Sequence, residues 1–290
     1  MGWRTVVIAS SAKLDLYMGY LVVRSEKTSK IHLNEISLLI IESTAVSITT
    51  ALLSELSKEK IKVIFCDEKR NPSSELISYY GAHDTSEKIR NQIKWSEDTK
   101  KAVWTEIVTE KIKKQAKHLL DCGRLESELL QEYIMQIQFG DVTNREGHAA
   151  KVYFNALFGM DFSRSQENSI NAMLNYGYSI ICSLFSREIV SNGYITQIGV
   201  HHDNMFNQFN LSCDLMEPFR ILVDRKVKNL MPQKFEKEEK KIILELLQDT
   251  VTIAGREENI SNAIKIYCKS VVDAMNEKDV SLIKFYKDEL

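Results

Sequence analysis

Hydrophobic positions follow two different periods along the chain. Before about residue 70 they form short β-branched or aliphatic runs, partly alternating with polar residues, which is typical of strands. These runs lie at residues 5–10, 14–23, 31–41 and 61–66. Gly19 falls inside the second run and predicts a bulge or bend. Residues 44–59 follow a helical period, so strands and one helix are predicted here.

Beyond about residue 74 the hydrophobic positions recur at the spacing of one helix face. This stripe is clearest in residues 105–120, 242–254 and 262–275. The low content of helix breakers, 11 Gly and 3 Pro in 290 residues, also favours long helices. The fold class predicted is α+β, with a small β-rich N-terminal domain joined to a larger all-helical domain. Its predicted parts are the β-rich domain at 1–73, a linker at 74–94 and the helical domain at 95–290. Pro72, Gly81 and the polar residues within 71–87 favour the linker.

Charge and cysteine usage exclude some classes of protein. The chain has 38 Lys and Arg against 40 Asp and Glu, so it does not hold nucleic acid by bulk positive charge. Local basic clusters, as at Lys111, Lys113, Lys114 and Lys117, are expected to be solvated helix faces. The five cysteines lack a Cys-x-x-Cys pair and, with no secretory signal pattern, predict a cytoplasmic protein. Residues 287–290 read Lys-Asp-Glu-Leu, which we expect to be the amphipathic end of a helix.

Motifs that bind nucleotides or activate a serine are absent from the sequence. It contains no phosphate-binding Gly-x-x-x-x-Gly-Lys-Ser/Thr, no Gly-x-Gly-x-x-Gly and no Gly-x-Ser-x-Gly. The Cys and His spacing of a structural zinc site is also missing. An enzyme with this sequence is therefore not expected to use ATP or a dinucleotide.

Two segments contain candidate chemistry. In residues 145–154, Glu146 lies near the start of a predicted helix. A carboxylate at this position interacts favourably with the helix dipole, which is a purely structural explanation for it. In residues 199–225, Asp214 and Glu217 share a helix face, and the following proline predicts a helix that begins near Asp214. Asp214 as N-cap and Glu217 at the third helical position would explain both acids as a capping box, worth about 1 kcal/mol.

The cap does not account for His201, His202 and Asp203 in the loop upstream. Two carboxylates and one imidazole form a mostly hard ligand set, which suits Mg²⁺ or Mn²⁺ with open water positions. Such an ion polarises a phosphodiester oxygen. Spacing alone leaves three hypotheses open: a metal-dependent DNA enzyme, a non-catalytic helical DNA-binding scaffold, and a small-molecule metal phosphohydrolase that uses the His-His-Asp run.

The order of several short motifs resembles one family. They are Arg-Glu-Gly-His-Ala-Ala-Lys-Val-Tyr-Phe at 145–154, Asn-Tyr-Gly-Tyr at 175–178, Gly-Val-His-His at 199–202, Asp-Leu-Met-Glu-Pro-Phe-Arg at 214–220 and Leu-Val-Asp-Arg at 222–225. The set is similar to that of the CRISPR-associated integrase, which inserts new spacers during CRISPR adaptation. The wording of the motifs is most like that of the type II systems.

This resemblance implies a fold and a site. It implies an N-terminal β-sandwich-like domain, a C-terminal helical domain, and a metal-dependent DNA endonuclease and integrase. The metal ligands and catalytic residues fall on Glu146, His202 and Glu217, and many relatives have Asp where this chain has Glu217. Asp214 matches a second acidic position with a supporting role. His148, two residues from Glu146 on another helix face, is a weaker rival ligand.

The resemblance also implies a reaction and partners. In direct transesterification, a 3′-hydroxyl of incoming DNA attacks a phosphodiester at the edge of a CRISPR repeat, with Mg²⁺ or Mn²⁺ stabilising the charge. The protein would form a homodimer and would bind a small ferredoxin-like adaptation partner together with spacer-precursor and repeat DNA. Type II systems add further proteins, including the effector nuclease.

Overall fold

The computed structural model describes residue 2, residues 4–79 and residues 82–287. The chain divides into two compact units, Met1–Gly81 and Ala82–Leu290. The first contains two β-sheets and one helix, and the second is mostly helical, which confirms the α+β fold class. No described helix is long and apolar enough to span a membrane.

The N-terminal unit contains eight strands and one α-helix in its described part. They are β1 (Arg4–Ile8), β2 (Ala12–Tyr17), β3 (Tyr20–Arg24), β4 (Thr28–His32), β5 (Ile36–Ile41), β6 (Val46–Ile48), α1 (Thr50–Lys58), β7 (Lys62–Cys66) and β8 (Pro72–Glu75). One sheet has the order β1-β5-β7-β8, with β1, β5 and β7 parallel and β8 antiparallel. The other has the order β4-β3-β2-β6, with only β6 parallel to its neighbour.

Both sheets of this unit contribute to one hydrophobic core. Leu14 and Leu21 from the second sheet pack in the same buried cluster as Leu39 and Val63 from the first, and α1 adds Leu52. Side chains from two sheets therefore meet face to face, as in a β-sandwich. Gly19 is the bend expected at its position: with its neighbour it forms the two-residue turn between β2 and β3 at positive φ.

The C-terminal unit is built on long helices. They are α2 (Thr85–Ile93), α3 (Glu97–Asp121), α4 (Glu126–Met135), α5 (Arg145–Phe158), α6 (Ser169–Ser191), α7 (Asn210–Leu215), α8 (Arg220–Leu230), α9 (Lys237–Glu245) and α10 (Ile260–Glu277). A hairpin of β9 (Thr250–Ile253) and β10 (Arg256–Asn259) precedes α10. Helices α3 and α6 are the longest of these, and each contributes many buried residues to the core of the unit.

Close packing of α6 against α8 depends on Gly177. A methyl group at this position would lie 2.4 Å from Val223 Cγ1, closer than carbon atoms can approach. Gly177 lies in the Asn-Tyr-Gly-Tyr motif, and Val223 in the Leu-Val-Asp-Arg motif. The close approach brings together two helices that support the candidate site described below.

Several sequence predictions were wrong in detail. The helix predicted over 242–254 ends early, because residues 250–253 form β9 and pair with β10. The helix predicted over 44–59 begins only at Thr50, because residues 46–48 form β6. The segment predicted as a linker contains α2 and the last two residues of β8. The larger unit is predominantly helical, as predicted, and this hairpin is an addition to it.

The basic cluster on α3 and the C-terminal segment also differ from expectation. Lys113 and Lys117 are exposed, as expected of a solvated face, but Lys111 and Lys114 are buried, so the prediction was wrong for these two. Lys287, the first residue of the expected helical end, instead forms a β-bridge with Thr252. Residues 288–290, the remainder of the expected helical end, lie outside the described residues.

Candidate active site

Glu146 lies in the first turn of α5, and two side chains cap this end of the helix. The carboxylate of Asp141 accepts hydrogen bonds from the backbone N–H groups of Arg145, at 2.8 Å, and of Glu146, at 3.0 Å. Asn144 Oδ1 accepts a hydrogen bond from Gly147 N at 3.2 Å. These bonds satisfy N–H groups that have no partner within the helix. The Glu146 side chain is therefore not needed to cap the helix, and it accepts a hydrogen bond from Lys111 on α3.

Glu217 lies at the start of a short 3₁₀ turn, Glu217–Phe219, between α7 and α8. Pro218 is in the first turn of this element, where its missing N–H costs nothing. Glu217 is buried, and Arg220 Nε donates a hydrogen bond to its Oε1 at 2.9 Å. The other carboxylate oxygen accepts a hydrogen bond from Lys111 Nζ.

Lys111 thus joins the two acidic motifs. Its ammonium contacts both Glu146 and Glu217, and its side chain is almost completely buried. Burial opposes the charge on Lys111, but the two carboxylates outweigh it and raise the pKa of Lys111. Burial likewise opposes ionisation of Glu217, but Arg220 and Lys111 lower its pKa to about 2. Both carboxylate and ammonium are therefore charged at neutral pH.

His202 is held by Asp214, the second acidic position. The ring Nδ1 of His202 contacts Asp214 Oδ1, and this hydrogen bond raises the pKa of His202 although burial opposes the shift. Asp214 is fully buried. Its carboxylate also accepts backbone N–H hydrogen bonds from Val200, at 2.6 Å, and from His201, at 2.9 Å. Engagement of Nδ1 leaves Nε2 as the His202 nitrogen that can bind a further ligand.

The capping interpretation of Asp214 is wrong. Asp214 lies near the C-terminal end of α7, which begins at Asn210 rather than near Asp214. Its hydrogen bonds run back to the loop at 200–202, and not to the N–H groups of a following helix turn. The alternative that both acids only cap a helix therefore fails for Asp214.

The other histidine candidates lie outside this cluster. The ring of His201 stacks on Trp104 of α3, with centroids 4.2 Å apart and parallel planes. His148 is exposed, and its ring lies 6.4 Å from that of Tyr133, centroid to centroid. Asp203 is exposed, and in the described residues it belongs to no group of three or more His, Cys, Asp or Glu side chains that could hold a metal ion. The arrangement does not favour a phosphohydrolase built on the His201, His202 and Asp203 run.

A cavity of about 420 Å³ opens beside Glu146. Trp104, Val200 and His201 line it, together with Lys101 from the same face of α3. The cavity lies between the first acidic motif and the histidine loop. A ligand in it would therefore reach residues of both motifs.

The residues fit a hard divalent cation in part. Glu146 and Glu217 direct oxygen atoms to a single position that a positive group already occupies, and oxygen ligands suit Mg²⁺ or Mn²⁺. His202 is oriented by a carboxylate, as metal-ligating histidines usually are. Within residues 4–79 and 82–287, however, no three His, Cys, Asp or Glu side chains lie close enough to hold a metal together. Lys111 stands in the position that the carboxylates share.

A buried polar network holds Arg220, the residue that donates a hydrogen bond to Glu217. The Arg220 guanidinium lies over the ring of Tyr178, 4.6 Å from its centroid, and the Tyr178 hydroxyl donates a hydrogen bond to Asp224. Burial raises the pKa of Asp224 to about 6, although hydrogen bonds from Tyr178 and Tyr153 oppose the shift. Arg220 and Asp224 belong to motifs that carry the resemblance, but sequence reasoning gave them no role.

Sequence reasoning also missed Lys111, for which a signal was available. Lys111 lies three residues after Val108 and four after Ile107, which are both fully buried. A lysine at this spacing falls on the hydrophobic stripe of α3. A charged residue on the buried face of a helix requires an acidic partner, and that requirement could have pointed to the site.

Comparison with known proteins shows the family. The family model described as CRISPR associated protein Cas1 matches residues 5–248. The protein named CRISPR-associated endonuclease Cas1 from Neisseria meningitidis serogroup C (strain 8013) is 34% identical over 235 residues, 80% of this chain and 77% of that protein. A second relative with that activity in its name, from Francisella tularensis subsp. novicida (strain U112), is 28% identical over 243 residues, 76% of each chain.

Two solved structures share the fold. One is described as a casposase bound to integration product, with a TM-score of 0.78 and 17% identity, covering 96% of this chain and 93% of that chain. The other is a chain of a Cas6-RT-Cas1--Cas2 complex, with a TM-score of 0.76 and 18% identity, covering 99% of this chain but only 36% of that chain. The family resemblance drawn from the motifs is confirmed by the family model and the relatives: this chain belongs to the Cas1 family of CRISPR-associated proteins.

Proposed function

We propose that this protein is a metal-dependent DNA endonuclease and integrase that inserts spacer DNA into a CRISPR array. The observation that carries the proposal is the convergence of Glu146 and Glu217 on one buried cationic position, although they lie far apart in the sequence. The names of the relatives, which include the word endonuclease, support the same class of activity.

Glu146, Glu217 and His202 are the residues that would hold Mg²⁺ or Mn²⁺. When bound, the ion would polarise a phosphodiester oxygen and stabilise charge on the transferring phosphate. Asp214 fixes the His202 ring through Nδ1, which keeps the imidazole in one tautomer and orientation. Arg220 holds one oxygen of Glu217, so the carboxylate cannot rotate freely.

The proposed reaction is a transesterification. The 3′-hydroxyl oxygen of the incoming DNA forms a bond to phosphorus at the edge of a CRISPR repeat, and the bond from that phosphorus to the leaving 3′-oxygen breaks. The attacking hydroxyl loses a proton and the leaving oxygen gains one, so the displaced strand departs with its own 3′-hydroxyl. One phosphodiester replaces another, and no nucleotide cofactor is required, in keeping with the missing nucleotide motifs.

We further propose that the protein acts as a homodimer with a small ferredoxin-like adaptation partner. Two similar structures are described as a Cas6-RT-Cas1--Cas2 complex and a partial form of that complex, which supports an assembly with Cas2. We also propose that the protein is of the type II form, with its effector nuclease as a further partner, on the wording of the motifs at 145–154 and 214–220.

A strand-joining assay tests the proposal. The purified protein would be mixed with its partner, Mn²⁺, DNA with free 3′ ends and a repeat-containing target. We expect Glu146→Ala, His202→Ala and Glu217→Ala each to abolish joining, while Glu245→Ala, at an exposed surface acid on α9, leaves it unchanged. Normal joining by Glu217→Ala or His202→Ala would contradict the assignment of the site.

A second candidate is a non-catalytic helical DNA-binding scaffold. It is favoured by the fact that Lys111 satisfies Glu146 and Glu217 without a metal, so that the cluster could serve folding alone. The scaffold predicts no binding of Mn²⁺, and it predicts that Glu146→Ala changes stability but no activity. Calorimetric titration of the protein with Mn²⁺ separates the two functions.

A further inference from the structure

The position of Lys111 has a consequence for metal binding, if the proposed function is correct. Its ammonium donates to one oxygen of Glu146 and to one oxygen of Glu217. Among the described residues it is the cation that contacts both carboxylates, whereas Arg220 contacts Glu217 alone. Lys111 therefore stands at the point where the two proposed metal ligands meet.

The charges of this cluster balance without a metal. Two carboxylates, Glu146 and Glu217, face two cationic groups, Lys111 and Arg220. Isolated carboxylates buried side by side would repel each other, and the desolvation of each would be uncompensated. A divalent cation added to the intact cluster would leave two excess positive charges in a buried site.

Lys111 and a metal ion also compete for the same space. A charge-assisted N–H···O bond spans about 2.7–2.9 Å, and Mg²⁺ lies about 2.0–2.1 Å from its oxygen ligands. Each position is defined by contact with the same two carboxylates. An ion that bound both Glu146 and Glu217 would therefore lie where the ammonium lies, or so close to it that like charges repel.

We propose that Lys111 is an exchangeable counter-ion of the metal site. In the metal-free protein its ammonium pairs Glu146 with Glu217 and keeps the two carboxylates facing each other. When a divalent cation binds, the ammonium withdraws, which its flexible four-carbon stem permits. Lys111 is thus a positioning residue that makes metal affinity weaker than the carboxylates alone would give.

Arg220 does not have this role. It holds the Glu217 oxygen that Lys111 does not contact, and its guanidinium is anchored over the Tyr178 ring. Arg220 can therefore stay in place when a metal ion replaces the Lys111 ammonium between Glu146 and Glu217. Only the Lys111 contacts have to break for an ion to reach both carboxylates.

Binding of Mn²⁺ to the metal-free full-length protein tests the proposal without an activity assay. Free Mn²⁺ is followed by its electron paramagnetic resonance signal for wild type, Lys111→Met and Lys111→Arg. We expect Lys111→Met to bind Mn²⁺ at least about tenfold more tightly, because the competing charge is removed. Lys111→Arg keeps a positive charge, and we expect it to bind no more tightly than wild type.

Thermal unfolding provides a second readout and guards against misfolding. Lys111→Met removes the ammonium that pairs with both Glu146 and Glu217 and leaves Glu217 with Arg220, so it should unfold at a lower temperature than wild type in EDTA. Mn²⁺ should then raise its unfolding temperature by more than it raises that of wild type. Lys114→Met is the matched control: Lys114 is also buried on α3 but pairs with Glu110, and its removal should not change Mn²⁺ affinity.

The possible results separate this role from the proposed function. If wild type binds Mn²⁺ in a manner that Glu217→Ala abolishes, but Lys111→Met binds it equally or more weakly, Lys111 is a fixed scaffold residue and the inference is overturned. If neither wild type nor Lys111→Met binds Mn²⁺, the metal site itself is wrong, and the proposed function with it. Binding of Mn²⁺ by Lys111→Met that is at least about tenfold tighter than that of wild type supports the counter-ion role.

Discussion

Gly199 lies so close to Asp214 that a methyl group on its Cα would be 2.6 Å from Asp214 Oδ2. The same methyl group would be 2.4 Å from the carbonyl oxygen of His202. Both distances are too short for a carbon atom, so the loop before His202 can close around the carboxylate only with glycine at this position. This packing gives a physical reason for the first residue of the Gly-x-x-His motif.

Replacement of Gly199 by alanine should therefore damage the site. To relieve the contact, the loop must move away from Asp214, and the hydrogen bond between Asp214 and His202 must lengthen or break. We expect Gly199→Ala to reduce strand joining by at least about tenfold, a loss of roughly 1.4 kcal/mol of transition-state stabilisation. The measurement is initial joining rate at saturating Mn²⁺.

Gly123→Ala is the control for the glycine replacement. Gly123 has positive φ, and a Cβ there would meet nothing within 4 Å. We expect it to lose about 1–2 kcal/mol of stability through backbone strain while joining at the wild-type rate. Equal joining rates for Gly199→Ala and wild type would show that the loop adapts and that the close contact has no catalytic consequence.

Asp214 should control the pKa of His202 in the metal-free protein. The hydrogen bond and the negative charge of Asp214 raise the pKa of His202, so Asp214→Asn should lower it relative to wild type. The raised pKa stabilises the folded state at pH values below the pKa of a free histidine. This contribution is lost as the pH rises through the pKa that His202 has in the folded protein. Proton NMR titration in the presence of a chelator measures the pKa, with His202→Gln identifying the resonance. An unchanged His202 pKa in Asp214→Asn would contradict the prediction.

Asp224 should make stability fall as the pH rises from acid toward neutral. Its folded pKa is about 6, raised by burial from an ordinary 3.8. Between these values the unfolded carboxyl ionises while the folded one keeps its proton, so the folded state loses up to about 3 kcal/mol relative to Asp224→Asn. Urea unfolding of both proteins at about pH 4 and about pH 6.5 measures this difference. Asp203→Asn, at an exposed acid, should show no comparable change.

The elements with a strong local pattern were predictable from the sequence. The apolar runs at 5–10 and 61–66 became β1 and β7, and the stripe at 262–275 became α10. The stripe at 242–254 misled because its last apolar residue, Ala254, lies with Gly255 in a positive-φ turn. That turn reverses the chain into a hairpin, which the helical period does not reveal.

The candidate site was inferred through the ordered motifs, and the lysine on the hydrophobic stripe of α3 was a further signal that was not used. Spacing places Asp214 near Glu217, but the contacts of Lys111 with Glu146 and Glu217 span 35 and 106 residues. No local period encodes contacts over such separations. The same limit applies to Asp214, whose hydrogen-bond partners at 200–202 lie in a preceding loop. Because no local pattern links Asp214 to that loop, a helix cap was a plausible role from the sequence alone.

Replacement of Gly177 by alanine should destabilise the protein, although alanine is the better helix former. Alanine favours a helix over glycine by about 1 kcal/mol, but its methyl group would lie 2.4 Å from Val223 Cγ1. We expect Gly177→Ala to lower the free energy of unfolding by about 1–3 kcal/mol, the usual cost of overpacking a core. Val223→Ala removes the atom that clashes, so Gly177→Ala with Val223→Ala should be more stable than the sum of the two single changes predicts. Urea unfolding of all four proteins completes the cycle, and strict additivity would show that α6 and α8 separate instead of clashing at this pair.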